Sequence, residues 1–341
     1  AAQELEEDPE KCRRSCGNVS IPFPFGTTKK CSLDTKFLIN CTNNNSDPIL
    51  QDNDLPLRSI SVDQGVLHVS LSVARDCYSG TEKKFNNTEF LSWAYDFGRY
   101  SISSSRNVFT TIGCDTLGLV VGYPYLDSNF DKPYVKSCLS YCQNHGDASD
   151  GHCAGTGCCH VDIPDSEVKQ GLSSISYGFE NSLLNNSDKN EFSPCGYAFL
   201  VEKEGHYKFK AEDLTNNKLK NTTFPVVLDW SVGNQPCKEA KKNSSENVCK
   251  GRNVECYDAK NRVGYLCKCL PGFQGNPYLP QGCTDIDECQ IGTHDCVNGT
   301  TCVNDPPGSY TCKCRKGRGD GRKNGTKCQS PKHEIILIIA F

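Results

Sequence analysis

Methionine is absent from the 341 residues, tryptophan occurs only twice, and no apolar run approaches the ~20 residues that a membrane-spanning helix needs. Because the starting methionine is missing, we expect Ala1 to follow a removed signal peptide. The chain also lacks a His-Glu-x-x-His pair, a Gly-x-Ser-x-Gly turn, a phosphate-binding glycine loop and the sequence signatures of protein kinases. We therefore expect no catalytic residues, which leaves ligand binding as the favoured class of function.

Cysteine, in contrast, is abundant: 24 residues, or roughly 7 % of the chain, approach the level that indicates a disulfide scaffold. Cytosolic proteins keep their thiols reduced, so this density predicts an oxidising, extracellular compartment. Nine Asn-x-Ser/Thr glycosylation acceptors agree with that location. The acceptors are Asn18, Asn40, Asn44, Asn86, Asn185, Asn221, Asn243, Asn298 and Asn324.

The spacing of the cysteines divides the chain. Twelve are irregularly spaced between Cys12 and Cys195, and the other twelve form two sixes with the same order, each with a Cys-x-Cys followed by one last cysteine. Such a repeat indicates an internal duplication. Modules of ~40 residues bury too little apolar surface to fold without cross-links, so each six is expected to hold its module together through disulfides.

The amino-terminal region is predicted to be β-rich. Apolar and polar residues alternate at period two over residues 65–73, and residues 197–201 and 225–228 are short strand-like segments. No long amphipathic helical pattern stands out. The prolines between Cys16 and Gly26 restrict that string to an edge strand or an extended turn. The predicted fold class is therefore disulfide-rich and mainly β.

Each six of cysteines resembles an epidermal-growth-factor-like (EGF-like) module, and the Cys-x-Cys at Cys267/Cys269 and at Cys312/Cys314 is the most specific part. Spacing alone leaves all fifteen pairings of six cysteines open. The resemblance implies that the first cysteine pairs with the third, the second with the fourth and the fifth with the sixth. The implied disulfides are Cys237–Cys256, Cys249–Cys267, Cys269–Cys283, Cys289–Cys302, Cys296–Cys312 and Cys314–Cys328.

The junction between the two modules reads Asp-Ile-Asp-Glu-Cys over residues 285–289 and resembles the calcium-binding entry of an EGF-like module. Calcium takes six to eight hard oxygen ligands, which clustered carboxylates and a carbonyl supply. The resemblance implies side-chain ligands from Asp285, Glu288 and Asn304 and the main-chain carbonyl of Ile286.

The hairpin of the second module departs from the family pattern. Five residues, instead of the family's four, separate Asn304 from Tyr310. Either Asp305 takes the ligand role or the loop bulges. An acidic linker without metal is the alternative to calcium binding.

Further motifs resemble, in order, the extracellular part of plant wall-associated receptor kinases. The string that opens at Cys16 resembles the start of that family's galacturonan-binding domain, and segments beginning at Gly155, Pro194 and Phe224 resemble its later landmarks. The resemblance implies a single-pass plasma-membrane receptor whose ectodomain faces the cell wall and binds pectin, with a cytoplasmic Ser/Thr kinase outside this chain. The implied divisions are an acidic leader at 1–11, a galacturonan-binding domain at 12–114, its cysteine-rich β-rich continuation at 115–236, EGF-like modules at 237–284 and 285–328, and a juxtamembrane segment with the start of a transmembrane helix at 329–341.

Charge supports a polyanionic ligand for the first of these domains. Residues 11–106 hold 12 Lys/Arg against 9 Asp/Glu, although the whole chain has a net charge of −4. De-esterified pectin is a rod of carboxylates, which arginine and lysine recognise, and aromatic faces can pack on its sugar rings. The candidate aromatics are Phe23, Phe25, Trp93, Tyr95 and Tyr100. The candidate cations are Arg13, Arg14, Lys29, Lys30, Arg58, Lys83, Lys84, Arg99 and Arg106.

Three alternatives remain. A peptide or pathogen effector protein could bind the EGF-like modules, where a basic cluster could also contact a polyanion or a membrane surface. A secreted pectin-modifying enzyme would need a carboxylate pair that sequence alone does not identify. Zinc could bind the cysteines and histidines between Cys138 and His160, although disulfides explain those cysteines more simply. The basic cluster comprises Lys313, Arg315, Lys316, Arg318, Arg322, Lys323 and Lys327. No strongly basic domain indicates nucleic-acid binding.

Overall fold

The structure is a computed structural model. It describes residues 12–42, 47–50, 54–77, 93–96, 100–124, 134–163, 172–180, 192–204, 207–215, 218–219, 221–243, 247–260, 263–315, 319, 321–323 and 328.

Strands account for most of the regular structure in these residues. The strands of the amino-terminal region are β1 (Ser15–Cys16), β2 (Val19–Ser20), β3 (Ile39–Thr42), β4 (Asp47–Leu50), β5 (Leu55–Ser61), β6 (Val66–Ser72), β7 (Ala74–Cys77), β8 (Trp93–Asp96), β9 (Ser101–Ile102), β10 (Asn107–Ile112), β11 (Thr116–Pro124), β12 (Tyr134–Ser140), β13 (Cys158–Asp162), β14 (Leu172–Glu180), β15 (Cys195–Glu202) and β16 (Thr223–Asp229). The later strands are β17 (Val254–Asp258), β18 (Tyr265–Cys269), β19 (Phe273–Gly275), β20 (Cys283–Asp285), β21 (Thr300–Val303) and β22 (Thr311–Cys314).

Helices are short in the described part of the chain. The α-helices are α1 (Cys237–Lys242) and α2 (Glu288–Ile291), and 3-10 turns lie at Thr35–Phe37, His145–Asp147 and Ala211–Leu214. Among the described residues no helix has both the length and the apolar character required to span a bilayer. The mainly β, disulfide-rich fold class predicted from sequence is confirmed.

In the described part of the amino-terminal region, two large antiparallel sheets lie alongside a two-stranded sheet of β1 and β2. The larger has the order β12-β11-β14-β9-β16-β6-β5-β4-β3, with β8 also paired to β14, and the smaller has the order β13-β10-β15-β7. The sheets pack together where β15 contacts β14 and β16. Both of these larger sheets combine strands from the ranges 12–114 and 115–236, so the two ranges share one fold.

The pattern of buried and exposed side chains shows which faces of these strands pack into the core. In β6, Leu67, Val69 and Leu71 are buried, whereas His68 and Ser70 on the other side are partly exposed. β10 and β15 lie between neighbours in the smaller sheet, and their residues are almost all buried on both faces. The predicted strand at 65–73 thus appears as β6, and the segments at 197–201 and 225–228 lie in β15 and β16.

An aromatic cluster closes the core beside the amino-terminal string. Phe25, Phe37 and Trp230 meet edge to face, with ring centroids 5.2 to 5.9 Å apart. Edge-to-face pairs add to the free energy that burial of the rings supplies. The string between Cys16 and Gly26 therefore contains β2 and then an irregular segment, in which Ile21, Phe23 and Phe25 fill the core.

One buried amide links the sheets. Asn107 is fully buried at the start of β10, and its Nδ2 donates to the carbonyls of Ser103 and Val227 at 2.8 and 2.7 Å. Its Oδ1 accepts from the Val227 N–H at 2.9 Å. Since Val227 lies in β16, this side chain joins the smaller sheet to the larger one.

Disulfides add cross-links in the same region. Sequence alone left the pairing of the twelve amino-terminal cysteines open. The described pairs are Cys12–Cys31, Cys16–Cys41, Cys114–Cys142, Cys138–Cys159 and Cys153–Cys158, and Cys195 is also disulfide-bonded. The Cys138–Cys159 bond fastens β12 of the larger sheet to β13 of the smaller one.

The chain divides into two compact units. One comprises residues 1–247 with 257–266, and the other comprises residues 248–256 with 267–341. Within the first unit, the N–H and carbonyl of Val232 pair with those of Tyr265 at 2.9 and 3.0 Å. The hairpin end of the first EGF-like module thus belongs to the same unit as the amino-terminal sheets.

Candidate functional site

The cations expected to bind pectin fall into two groups in the amino-terminal unit. Arg13 and Arg14 lie beside β1, where Arg13 Nε donates to the Ser15 carbonyl at 2.6 Å and Arg14 Nη1 to the Phe25 carbonyl at 3.5 Å. Lys29 and Lys30 are exposed in the loop before Cys31. Partial burial lowers the pKa of the Arg14 guanidinium, which still stays charged at neutral pH.

The second group lies at the hairpin of β5 and β6, with Arg58 in β5 and Arg106, which directly precedes β10, in contact with the turn. Arg58 is exposed, and its Nε donates to Ser70 Oγ at 2.5 Å. Arg106 is half-buried, and its Nη1 donates to Gln64 Oε1 at 2.5 Å in the turn of the hairpin. The structure therefore brings Arg58 and Arg106 to one hairpin. The remaining candidates, Lys83, Lys84 and Arg99, lie outside the described residues.

The aromatic candidates are corrected by the structure. Phe23 and Phe25 are only 3 and 0 % exposed, because they fill the core. Tyr100 is 4 % exposed, and its hydroxyl donates to the Lys36 carbonyl at 2.9 Å. None of these three rings has a face available to a sugar. The side chains of Trp93 and Tyr95 lie outside the described part of the chain.

The second EGF-like module holds an oxygen-rich cluster at its entry. Asp285 Oδ2 accepts from Asn304 Nδ2 at 2.8 Å, and Asp285 Oδ1 accepts from the Gly308 N–H. The amide oxygen of Asn304 and Oε2 of Glu288 are buried without a hydrogen-bond partner. Buried oxygens without donors are costly unless a cation binds them, so this donor set suits a hard metal ion such as calcium.

The structure separates the two candidates in the hairpin loop. Asn304 lies against Asp285, whereas Asp305 is exposed. Farther along the same loop, the Gly308 N–H donates to Asp285 Oδ1. The carbonyl of Ile286 accepts from the Glu288 N–H at 3.1 Å, and its second lone pair is available to a metal ion.

The EGF-like disulfides follow the family order. Five of the six implied pairings are described, and both cysteines of the sixth, Cys237 and Cys256, are disulfide-bonded. The described pairings are Cys249–Cys267, Cys269–Cys283, Cys289–Cys302, Cys296–Cys312 and Cys314–Cys328.

The basic cluster of the second module is partly used inside the module. Arg322 stacks over the Tyr310 ring, with its guanidinium carbon 4.7 Å from the centroid, and donates to the Tyr310 carbonyl. Tyr310 also donates to Asp295 Oδ1 at 2.7 Å, and this bond raises the pKa of the phenol. Lys313, Arg315 and Lys323 are exposed, and the other members of the cluster lie outside the described residues.

The cysteines between Cys138 and His160 form disulfides, which leaves no thiolate ligand for zinc among them. Burial lowers the pKa of His160, and the nearby carboxylate of Asp162 opposes that shift. His160 Nδ1 instead lies 2.8 Å from Thr110 Oγ1 on the neighbouring strand β10.

The glycosylation acceptors that the structure describes are all exposed: Asn18, Asn40, Asn221, Asn243 and Asn298. The other four, Asn44, Asn86, Asn185 and Asn324, lie outside the described residues. The segment 329–341 also lies outside them.

Sequence reasoning missed one polar group beside the second set of cations. His68 Nε2 lies 3.3 Å from Glu202 Oε1, and His68 Nδ1 lies 3.0 Å from Ser59 Oγ. His68 and Glu202 are 134 residues apart in the chain. No sequence pattern marks such a contact, because it depends on how β6 and β15 pack.

Together these features define a class: a disulfide-linked β ectodomain with exposed cations, followed by two EGF-like modules, the second with a metal-compatible entry. A family model described as "Wall-associated receptor kinase galacturonan-binding" matches residues 12–71, and one described as "Calcium-binding EGF domain" matches residues 285–328. The chain belongs to the wall-associated receptor kinases and corresponds to their ectodomain.

Individual relatives support this membership. Wall-associated receptor kinase 2 of Arabidopsis thaliana is 36 % identical over 333 residues, covering 97 % of this chain and 42 % of that protein. Wall-associated receptor kinase 3 of the same plant is 38 % identical over 341 residues, covering 97 % and 43 %. Wall-associated receptor kinase 1 is 37 % identical over 318 residues, covering 90 % and 39 %. The chain thus spans about two fifths of the length of these relatives.

Proposed function

We propose that this chain binds pectin, as de-esterified homogalacturonan or oligogalacturonides, through the cations of its amino-terminal unit. The observation that carries the proposal is the galacturonan-binding family match over residues 12–71, which includes Arg13, Arg14, Lys29, Lys30 and Arg58. All but Arg14 are exposed, and Arg14 is half-buried.

The chemistry of the ligand fits these side chains. Each de-esterified sugar carries one carboxylate, so a polymer presents a row of negative charges that several cations can contact together. Arginine holds carboxylates through two parallel hydrogen bonds, and an exposed pair is weak alone but adds up along a repeating ligand. The buried rings of Phe23, Phe25 and Tyr100 cannot stack on sugars, so charge and hydrogen bonding are the contacts that the described candidates offer.

A binding titration of the whole chain tests this proposal. De-esterified oligogalacturonide is compared with the same oligomer fully methyl-esterified, at low ionic strength. We expect binding of the first and at least tenfold weaker binding of the second, because esterification removes the charge. Added salt should weaken the binding, since exposed charges are screened. No binding at low salt, or equal affinity for both oligomers, would contradict the proposal.

The receptor role extends the same proposal. The chain would be the extracellular region of a single-pass plasma-membrane receptor that faces the cell wall, and ligand binding would relay wall or defence signals to a cytoplasmic Ser/Thr kinase. The similarity to receptor kinases over two fifths of their length supports this role. A peptide or effector ligand at the EGF-like modules is the alternative, and binding of neither oligomer above would favour it.

Calcium binding by the second module is the other function that a specific observation favours. The buried oxygens of Asn304 and Glu288 lack hydrogen-bond donors, and Asp285 and the Ile286 carbonyl lie beside them in the chain or the fold. A bound calcium ion would satisfy these oxygens and stiffen the entry to the module. Extracellular modules of this kind bind calcium with dissociation constants of roughly 10⁻⁴–10⁻³ M.

A further inference from the structure

Three polar side chains meet across three strands near the pectin-binding candidates. His68 of β6 stands between Ser59 of β5, whose Oγ is 3.0 Å from Nδ1, and Glu202 of β15, whose Oε1 is 3.3 Å from Nε2. The side chains of His68 and Glu202 are 21 and 15 % exposed, so both reach solvent but are largely screened from it. A proton gained or lost by His68 therefore acts close to a carboxylate.

The strand geometry places this group beside Arg58. The pairing of β5 with β6 shifts between Leu57 and Ser59, so Arg58 and Ser59 are both exposed. Arg58 Nε donates to Ser70 Oγ, and Ser70 lies on the same side of β6 as His68, because side chains two residues apart share a face.

Arg106, which directly precedes β10 of the smaller sheet, contacts the same hairpin of β5 and β6. Its carbonyl accepts from the Lys203 N–H at 2.8 Å, directly after Glu202, and its guanidinium donates to Gln64 in the turn between β5 and β6. Arg58 and Arg106 are thus anchored at two places along one hairpin, residues 55–72, and His68 lies between their partners Ser70 and Gln64 in the sequence.

The charged groups around His68 determine how its protonation would affect a nearby anion. From β15 come Glu202 and then Lys203, which is paired at 2.9 Å with Asp162 of β13. From β16 the residue opposite His68 is apolar Val227, and Asp229 lies opposite Val66 farther along. With His68 protonated, the imidazolium adds a positive charge 3.3 Å from Glu202 Oε1, which favours an anion on this hairpin. With His68 neutral, that positive charge is lost.

We propose that the hairpin 55–72 with Arg106 is a uronate-binding surface and that His68 controls its affinity through protonation. This inference rests on the proposed pectin-binding function and names the part of the amino-terminal unit that carries it. Histidine is the side chain whose charge ordinarily changes between pH 5 and 8, whereas uronate carboxylates stay ionised over that range. By linkage, a ligand that prefers protonated His68 binds more tightly as the pH falls.

Calorimetric titration of the whole chain with de-esterified oligogalacturonide at pH 5.5 and pH 7.5, at constant ionic strength, tests the proposal. We expect affinity roughly two- to fivefold higher at pH 5.5, the effect of one partly exposed charge. His68→Gln keeps a polar side chain but cannot titrate, so its affinity should be the same at both pH values. His152→Gln, at an exposed histidine in another loop, is the matched control and should keep the full ratio.

Glu202→Gln gives an independent readout if His68→Gln does not fold. Removing the carboxylate should raise affinity at pH 7.5 by a similar factor. Binding by the unmodified chain with no pH dependence, or an unchanged ratio in His68→Gln, overturns the role of His68 and leaves the proposed function standing. No binding at either pH overturns the proposed function and this inference with it.

Discussion

At the scale of single residues, two oxygen atoms distinguish the second EGF-like module. Asn304 Nδ2 donates to Asp285 Oδ2, whereas Asn304 Oδ1 and Glu288 Oε2 are buried without a hydrogen-bond donor. Asp287 has a different task, because its side chain accepts from the Gln290 N–H at 2.9 Å and caps α2. The acidic residues of the entry are therefore divided between the proposed metal site and helix capping.

Substitution of these residues gives the first prediction. Asn304→Ala and Glu288→Gln should each weaken calcium binding by roughly tenfold or more, because each removes or neutralises one oxygen ligand of the proposed site. Asp305→Asn is the matched control, since Asp305 is exposed, and its calcium affinity should be unchanged. Calcium titrations of the three variants and the unmodified chain measure this. A weakened Asp305→Asn beside a normal Asn304→Ala would reverse the assignment.

The sequence identifies part of this site. Asp285, Ile286 and Glu288 lie in one short string, so the family resemblance points to them directly. The choice between Asn304 and Asp305 depends on how a loop with one extra residue bends, which spacing does not specify. The contact between His68 and Glu202 could not be predicted from the sequence, because it joins strands of different sheets.

At the scale of elements, two glycines form the joint between the EGF-like modules. Gly272 of the first module has a positive φ of 81°, and a Cβ built on it would lie 2.0 Å from the Gly308 carbonyl oxygen. Gly272 also accepts, through its carbonyl, a hydrogen bond from the Ile286 N–H at 2.9 Å. The backbones are in such close contact that no side chain fits between them.

Gly272→Ala is therefore predicted to disturb the joint and, with it, the proposed calcium site. Gly308 donates to Asp285, and loss of such an outer partner of a metal ligand typically weakens metal binding by about 10- to 100-fold. Gly299→Ala is the matched control, because Gly299 has a similar φ of 89° but nothing within 4 Å of its Cβ position. Calcium titration should show a loss of affinity for Gly272→Ala only. Equal effects of both variants would show that backbone strain, not the joint, is responsible.

The link between the two sheets gives a second prediction at this scale. Asn107→Ala removes three hydrogen bonds and leaves the Val227 N–H without its side-chain acceptor in a fully buried place. The free energy of unfolding should fall by about 3 kcal/mol. Denaturant unfolding with the disulfides intact measures it, with Ser105→Ala, an exposed neighbour in the same loop, as the control. A change below ~0.5 kcal/mol would mean that Asn107 does not hold the sheets together.

Elements were predictable where a local pattern exists. The alternation that predicts β6 comes from one buried face, and the Cys-x-Cys of each EGF-like module lies in β18 or at the end of β22. The pairing of β6 with β16, about 155 residues later, has no local signal because it is set by packing of the whole sheet. The same holds for the amino-terminal disulfides, for which spacing offers many alternatives.

At the scale of the whole molecule, the cysteines and the exposed cations are distributed over both parts of the chain. Twelve cysteines belong to the range that forms the amino-terminal sheets, and two sixes belong to the EGF-like modules. Exposed cations occur in both parts, and Arg322 of the second module is engaged with Tyr310. The ordered motifs predicted this organisation from sequence, whereas which cations lie together became visible only in the folded chain.

The most direct test of the central claim compares charge removal in the two parts of the same chain. One variant carries Lys29→Gln, Arg58→Gln and Arg106→Gln, and the other carries Lys313→Gln, Arg315→Gln and Lys323→Gln, so each loses three positive charges. Affinity for de-esterified oligogalacturonide is measured at low salt. We predict at least a tenfold loss for the first variant and less than a twofold change for the second. A larger loss in the second variant would contradict pectin binding by the amino-terminal unit.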